Sequence, residues 1–289
     1  MSFSLIPFLL LLSCFLLLWC DRCRLLWPYF FIVTILSALW LGVIDVTALF
    51  AIAAFAAICF GLKKYPSTST HQHYIFWGLA VVGALALALH LIPGFKPTVA
   101  YENIRFSEIS AEYTIRYGLD KAIVGFLILA MLADRVTTLV DWKALLVKLP
   151  VVLLITLTAV MTLGMVAGYL QFDPKFSLFI LWWALGNLFI TCIAEEAFFR
   201  LLIQEKIKTW FSGFKFETRL TLLVCAVLFG FAHIGGGWLM VVGATVAGLG
   251  YAYVYHKTGR IEAAILTHFI LNLSHILFFA YPYVDISRV

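Results

Sequence analysis

The segment Ala194-Glu195-Glu196-Ala197-Phe198-Phe199-Arg200 sets two carboxylates and a guanidinium inside an otherwise apolar stretch. A charge near the centre of a bilayer costs about 2.5–3.5 kcal/mol on insertion scales, so three together need a reason. Helical geometry separates their roles. Glu196 and Arg200 stand four residues apart, the acid on the N-terminal side, and pair on one face. Glu195 points about 100° away around the axis and has no obvious partner on its own helix. Asn187 and Thr191 continue a polar stripe on the two preceding turns. Two later segments carry complementary groups: Phe229 and His233, followed by Gly235 to Gly237, and then His268, Asn272 and His275 at spacings of four and three on one helix face. A carboxylate with an imidazole can activate water, and His and Asn can donate to a developing oxyanion. Together these are the requirements of amide hydrolysis. His90 and His275 read as ordinary hydrogen-bonded residues.

Such groups need elements to hold them at depth. The chain has 289 residues, 64% hydrophobic and 12% charged, against about 25% charged in soluble domains. That much apolar surface calls for lipid as solvent. The apolar runs are near helix-spanning length and do not alternate, which favours helices over a barrel. The expected fold is all-α, a polytopic bundle of about ten spans with its catalytic core in the C-terminal four to six. The spans run over 3–20, 26–43, 46–62, 74–92, 119–133, 149–170, 177–203, 219–234, 238–256 and 262–281. Asp45 falls in a very tight turn between the second and third. The loop 94–118 is the one sizeable outer connection and reads as an ordered connector. In the ninth span, Gly243, Ala244, Ala247, Gly248 and Gly250 permit close helix approach. With both termini outside, inner loops hold thirteen Lys and Arg and outer segments five, Arg288 among them, in accord with the positive-inside rule. Measured from the inner loops at ~1.5 Å per residue, Glu195 lies roughly 13 Å deep, His268 about 12 Å, Asn272 about 18 Å and His233 about 21 Å. Tilt and the glycine break can bring all four to one cavity.

The net charge of +5 is carried by loops, so it reads as topology and not as nucleic-acid binding. Cys20 and Cys23 stand at C-x-x-C spacing, but no second such pair accompanies them to make a zinc site, and the six cysteines read as reduced structural thiols. The first 20 residues lack a basic n-region and a small-residue cleavage site, so they read as a retained first span.

Glu-Glu-x-x-x-Arg (Glu195, Glu196, Arg200), Phe-x-x-x-His (Phe229, His233) and His-x-x-x-Asn (His268, Asn272), in that order on successive hydrophobic helices, resemble the CPBP family of CAAX proteases and bacteriocin-processing enzymes, relatives of the type II CAAX prenyl endopeptidases. The resemblance covers roughly 176–281. It divides the chain into an N-terminal transmembrane extension, 1–140, and a catalytic transmembrane core, 141–289. It implies an intramembrane endopeptidase acting on a membrane-associated peptide or protein. Glu195 would be the general base, helped by His233. His268 and Asn272 would stabilise the oxyanion, while Glu196 and Arg200 hold the helix and orient Glu195.

A zinc-dependent form stays open, with Glu195, His233 and His268 as ligands plus water. The absence of H-E-x-x-H and the poor ligand character of Asn favour the metal-free form, with no cofactor. A proton-coupled transporter is the competing class, but it predicts an inverted repeat, and none is visible. A non-enzymatic protein on an old protease fold is the third reading, and the intact motifs argue against it. The expected location is the bacterial inner membrane, multi-pass.

Overall fold

The computed structural model describes residues 3–20, 22–65 and 70–285, the side chains of Arg24 and Thr70 apart. Arg288 of the outer charge count lies outside the described residues. Each apolar stretch is helical: α1 (Ile6–Leu18), α2 (Trp27–Trp40), α3 (Val46–Lys64), α4 (Thr70–Ala88), α5 (Leu119–Leu132) and α6 (Leu139–Val166). The stretch with the paired carboxylates is helical throughout 179–210, but it changes pitch. It runs as α7 (Phe179–Gly186), a π-helix (Asn187–Cys192), α8 (Ile193–Glu196), a second π-helix (Ala197–Gln204) and α9 (Glu205–Trp210). The chain closes with α10 (Glu217–Phe231), α11 (Trp238–Thr258) and α12 (Ile261–Phe278). Among the described residues, four helices are long and apolar enough to cross a membrane: α3, α6, α11 and α12. Phe3–Leu18 and α2 are shorter apolar helices.

Two features differ from the sequence-based expectation. The helix expected from residue 149 begins at Leu139, so Lys143 and Lys148 lie on it and Pro150 sits inside it. Lysine stems tolerate a helix end at an interface, and the basic residues had masked the continuation. Within 94–118, β1 (Thr98–Ile104) and β2 (Tyr113–Tyr117) pair as a two-stranded sheet, a small exception to an otherwise helical chain.

By contact density the described chain forms two compact units. The first takes Met1–Ala100, Ile115–Thr138 and Leu188–Leu202. Its centre is α5, buried along nearly its whole length from Leu119 to Ala130. Phe126 of α5 meets Phe15 edge-on and stacks on Phe31, at centroid separations of 5.2 and 5.1 Å. Asp45 caps α3, its Oδ1 accepting from the backbone of Thr47 at 2.7 Å and Ala48 at 3.1 Å, which explains how so tight a turn is tolerated. Gly125 packs directly on the backbone of Ala194, leaving no room for a Cβ. Gly125→Val is therefore expected to destabilise the protein by about 1–3 kcal/mol through overpacking, with Gly125→Ala milder. Thermal unfolding in detergent would show it.

The second unit takes Tyr101–Thr114, Leu139–Asn187 and Ile203–Val289. Here α11 is the packing hub for α6, α10 and α12. Gly248 and Gly250 serve as expected, whereas a Cβ at Gly243 would meet only open space. Gly248 abuts Phe229 and Gly250 abuts Thr156, while Gly230 of α10 sits against Thr245. The glycine run ends α10 at Phe231. A short 3-10 turn, Ile234–Gly236, follows, and Gly237 with φ of +84° opens α11. Outside the helices, Ser107 donates to Asp173 at 2.5 Å and Lys175 donates to the same carboxylate at 3.0 Å and to the Phe279 carbonyl. Burial lowers the pKa of Lys175, and its bond to Asp173 works against that shift.

Candidate active site

In the first unit the site is built on α8, a single α-helical turn between two π-helices. Mid-helix π turns often mark functional positions. Glu196 and Arg200 form the pair that their spacing predicts, Nε to Oε2 at 2.7 Å, with both side chains fully buried. Breaking such a pair leaves a buried charge, so it fixes this segment's identity more than it adds stability. Trp77 donates to the Leu202 carbonyl at 2.8 Å and secures the far end of the second π-helix.

Glu195 sits on the adjoining face, its side chain 18% exposed, and it does have a partner. Lys121 of α5 places Nζ 2.8 Å from Oε1. The partner was invisible to reading along one helix because 74 residues separate the two. The signal was present in the sequence as a lone lysine within an apolar helix, since intramembrane ionisable residues are functional by default. The Gly125–Ala194 contact lies one turn along α5 from Lys121 and next to Glu195, so helix approach and ion pair are set by the same packing.

In the second unit the remaining motif residues cluster around Phe229. Its ring lies 4.7 Å from that of His233 and 5.7 Å, edge-on, from that of His268. His233 sits just past the end of α10, and its Nδ1 is 2.8 Å from the Phe229 carbonyl. A carbonyl only accepts, so Nδ1 carries the hydrogen. His268 is almost fully buried and stacks on Tyr251, centroids 4.6 Å apart and planes 15° from parallel. Asn272 stands one turn further along α12 and donates from Nδ2 to Oδ1 of Asn187 at 3.3 Å. The sequence places Asn187 on a polar stripe but gives no sign of this hydrogen bond, and nothing in it singles out Tyr251. A tyrosine in an apolar helix gives no pattern that separates ring stacking from ordinary core packing.

The set thus falls into a carboxylate group (Glu195, Glu196, Arg200, with Lys121) and an imidazole–amide group (Phe229, His233, His268, Asn272, with Tyr251 and Asn187). In neither unit do the described residues gather three His, Cys, Asp or Glu side chains into a metal-binding cluster. The bland readings of the other two histidines hold in part. His90 bonds the buried Asp120 through Nδ1 at 2.5 Å, and His275 packs against the rings of Phe279 and Tyr281.

Residues 177–274 match the family model described as Rce1-like, type II CAAX prenyl endopeptidase Rce1-like. The matched range contains every motif position from Glu195 to Asn272. No curated protein and no solved structure gives a significant match.

Proposed function

Residues 177–274 are an Rce1-like region, which supports a CAAX-type intramembrane protease in general, and on that premise we propose that this integral membrane protein hydrolyses a peptide bond of a membrane-associated peptide or protein with water activated by Glu195 and His233. The observation that carries the reading is the family match itself, which encloses the whole set of chemically able residues.

In this scheme Glu195, His233, His268 and Asn272 divide between them the chemistry of one hydrolysis. Glu195 accepts a proton from water as the oxygen attacks the scissile carbonyl carbon, and His233 assists. The carbonyl oxygen becomes an oxyanion that takes hydrogen bonds from His268 and Asn272. Collapse of the tetrahedral intermediate breaks the carbon–nitrogen bond, and the proton gained from water passes to the departing nitrogen. The products are a new carboxylate and a free amine. Stacking on Tyr251 fixes the plane of His268, and the bond to Asn187 fixes the amide of Asn272, so both donors are oriented before charge develops. Residues 141–289 carry this core, and the N-terminal helices 1–140 contribute α5.

Zinc does not suit this donor set. Oε1 of Glu195 already carries an ammonium at 2.8 Å, a cation where a zinc ligand needs its own negative charge, and Asn is a poor zinc ligand. The metal-free glutamate form is therefore the one proposed. Both termini on the outer side of a bacterial inner membrane agrees with the distribution of Lys and Arg.

The test is reconstitution in liposomes with membrane-anchored tail peptides, prenylated and unprenylated, in water enriched in ¹⁸O. The expected result is a shortened peptide with one ¹⁸O in its new carboxylate, formed at undiminished rate under chelation and by protein without bound zinc. A preparation that cleaves no tail peptide but carries a Glu195-dependent proton flux would overturn the protease in favour of a transporter. Cleavage that stops on chelation and returns with zinc would overturn the metal-free form.

A further inference from the structure

Lys121, the partner of Glu195, lies outside the motif set and outside the matched range 177–274. Lys121 is the third residue of α5, a helix otherwise apolar apart from Asp120. A lysine so near a helix end could snorkel toward water along its own stem. Its side chain is only 23% exposed, and its Nζ lies 2.8 Å from Oε1 of Glu195. The base of α5 is held in place independently. Asp120 accepts from the Lys121 backbone at 2.8 Å and binds His90, and Gly118 is crowded against the Asp120 carboxylate. One turn beyond Lys121, Gly125 rests on Ala194, the neighbour of Glu195. The ammonium is thus delivered to the carboxylate by a fixed helix end on one side and a backbone-close helix contact on the other.

We infer that Lys121 is a positioning residue of the proteolytic site: its ammonium holds one oxygen of the Glu195 carboxylate in place and supplies the opposite charge that this carboxylate needs within an apolar segment. The inference rests on the reading of Glu195 as the base. A carboxylate on a long side chain has several rotamers, and a catalytic base must sit within hydrogen-bond reach of the water it activates. A charge-assisted bond restricts that choice. The role belongs to the N-terminal half of the chain, which the family match does not reach.

The experiment compares Lys121→Met, Lys121→Arg and Glu195→Gln with the wild type in the liposome assay, with thermal unfolding of each in detergent. Lys121→Met is expected to lower kcat at least tenfold per folded molecule, with KM changed less than threefold. Lys121→Arg, which keeps the charge with a different shape, is expected to recover most of that loss. A merely structural lysine would lower the unfolding midpoint and the folded yield, leaving kcat per folded molecule unmoved. Lys121→Met with kcat within threefold of the wild type, while Glu195→Gln is inactive, would overturn this inference and leave the protease standing. Glu195→Gln that still cleaves at the wild-type rate would overturn the reading beneath it.

Discussion

Glu195→Gln is expected to lower kcat for tail-peptide cleavage by about 10²–10⁴-fold, the range associated with removing a positioned general base, while KM stays within a few-fold. Gln matches Glu in shape and loses only the ability to take a proton, so the substrate should bind as before. The neighbouring carboxylate gives the internal control. Glu196 is fully buried against Arg200, and a base with no access to water cannot replace Glu195. A kcat for Glu195→Gln within fivefold of the wild type, measured per folded molecule, would remove Glu195 from the chemistry.

The second large effect is on folding. Arg200→Met strands the Glu196 carboxylate at a position with no solvent access and is expected to destabilise the protein by about 3–5 kcal/mol, as breaking one side of a buried pair does. Removing both charges is a different experiment. The double variant Glu196→Gln with Arg200→Met leaves no buried charge and is expected to recover much of the loss, because well-packed neutral residues often replace a buried pair at little cost. Unfolding midpoints of the two single variants and the double variant, measured in one detergent, check this. Equal destabilisation by the single and double variants would mean that shape, and not charge, is what the site requires.

Both predictions begin from positions that the sequence already marked, and the reason is that they depend on local spacing. Glu196 and Arg200 are four apart on one helix, so a periodic reading suffices. The Gly235–Gly237 break and the small residues of α11 were legible for the same reason. What escaped depended on distance along the chain or on exceptions to a regular period. Lys121 meets Glu195 across 74 residues. Tyr251 stacks on His268 from another helix. The strands of 98–104 and 113–117 gain their pairing only from each other. The start of α6 was hidden because Lys143, Lys148 and Pro150 carry the composition of a loop while helical geometry persists through them. The same contrast holds on α12: spacing alone puts His268 and Asn272 on one face, whereas the stack on Tyr251 and the hydrogen bond to Asn187 come from other helices.

The change of pitch along 179–210 has a consequence for how this segment tolerates insertions and deletions. Residues in a π turn advance by a smaller angle than in an α turn, so Asn187–Cys192 acts as a phase adjuster between the α-helical stretches on either side of it. Losing one residue there need not interrupt the rod, because the turn can relax to ordinary α geometry. Six residues at the smaller π advance turn the chain about as far as five at the α advance, so such a loss leaves the heading of Glu195 nearly unchanged. The α-helical turn Ile193–Glu196 has no such slack, and losing a residue there ahead of Glu195 would swing the carboxylate by about 100°.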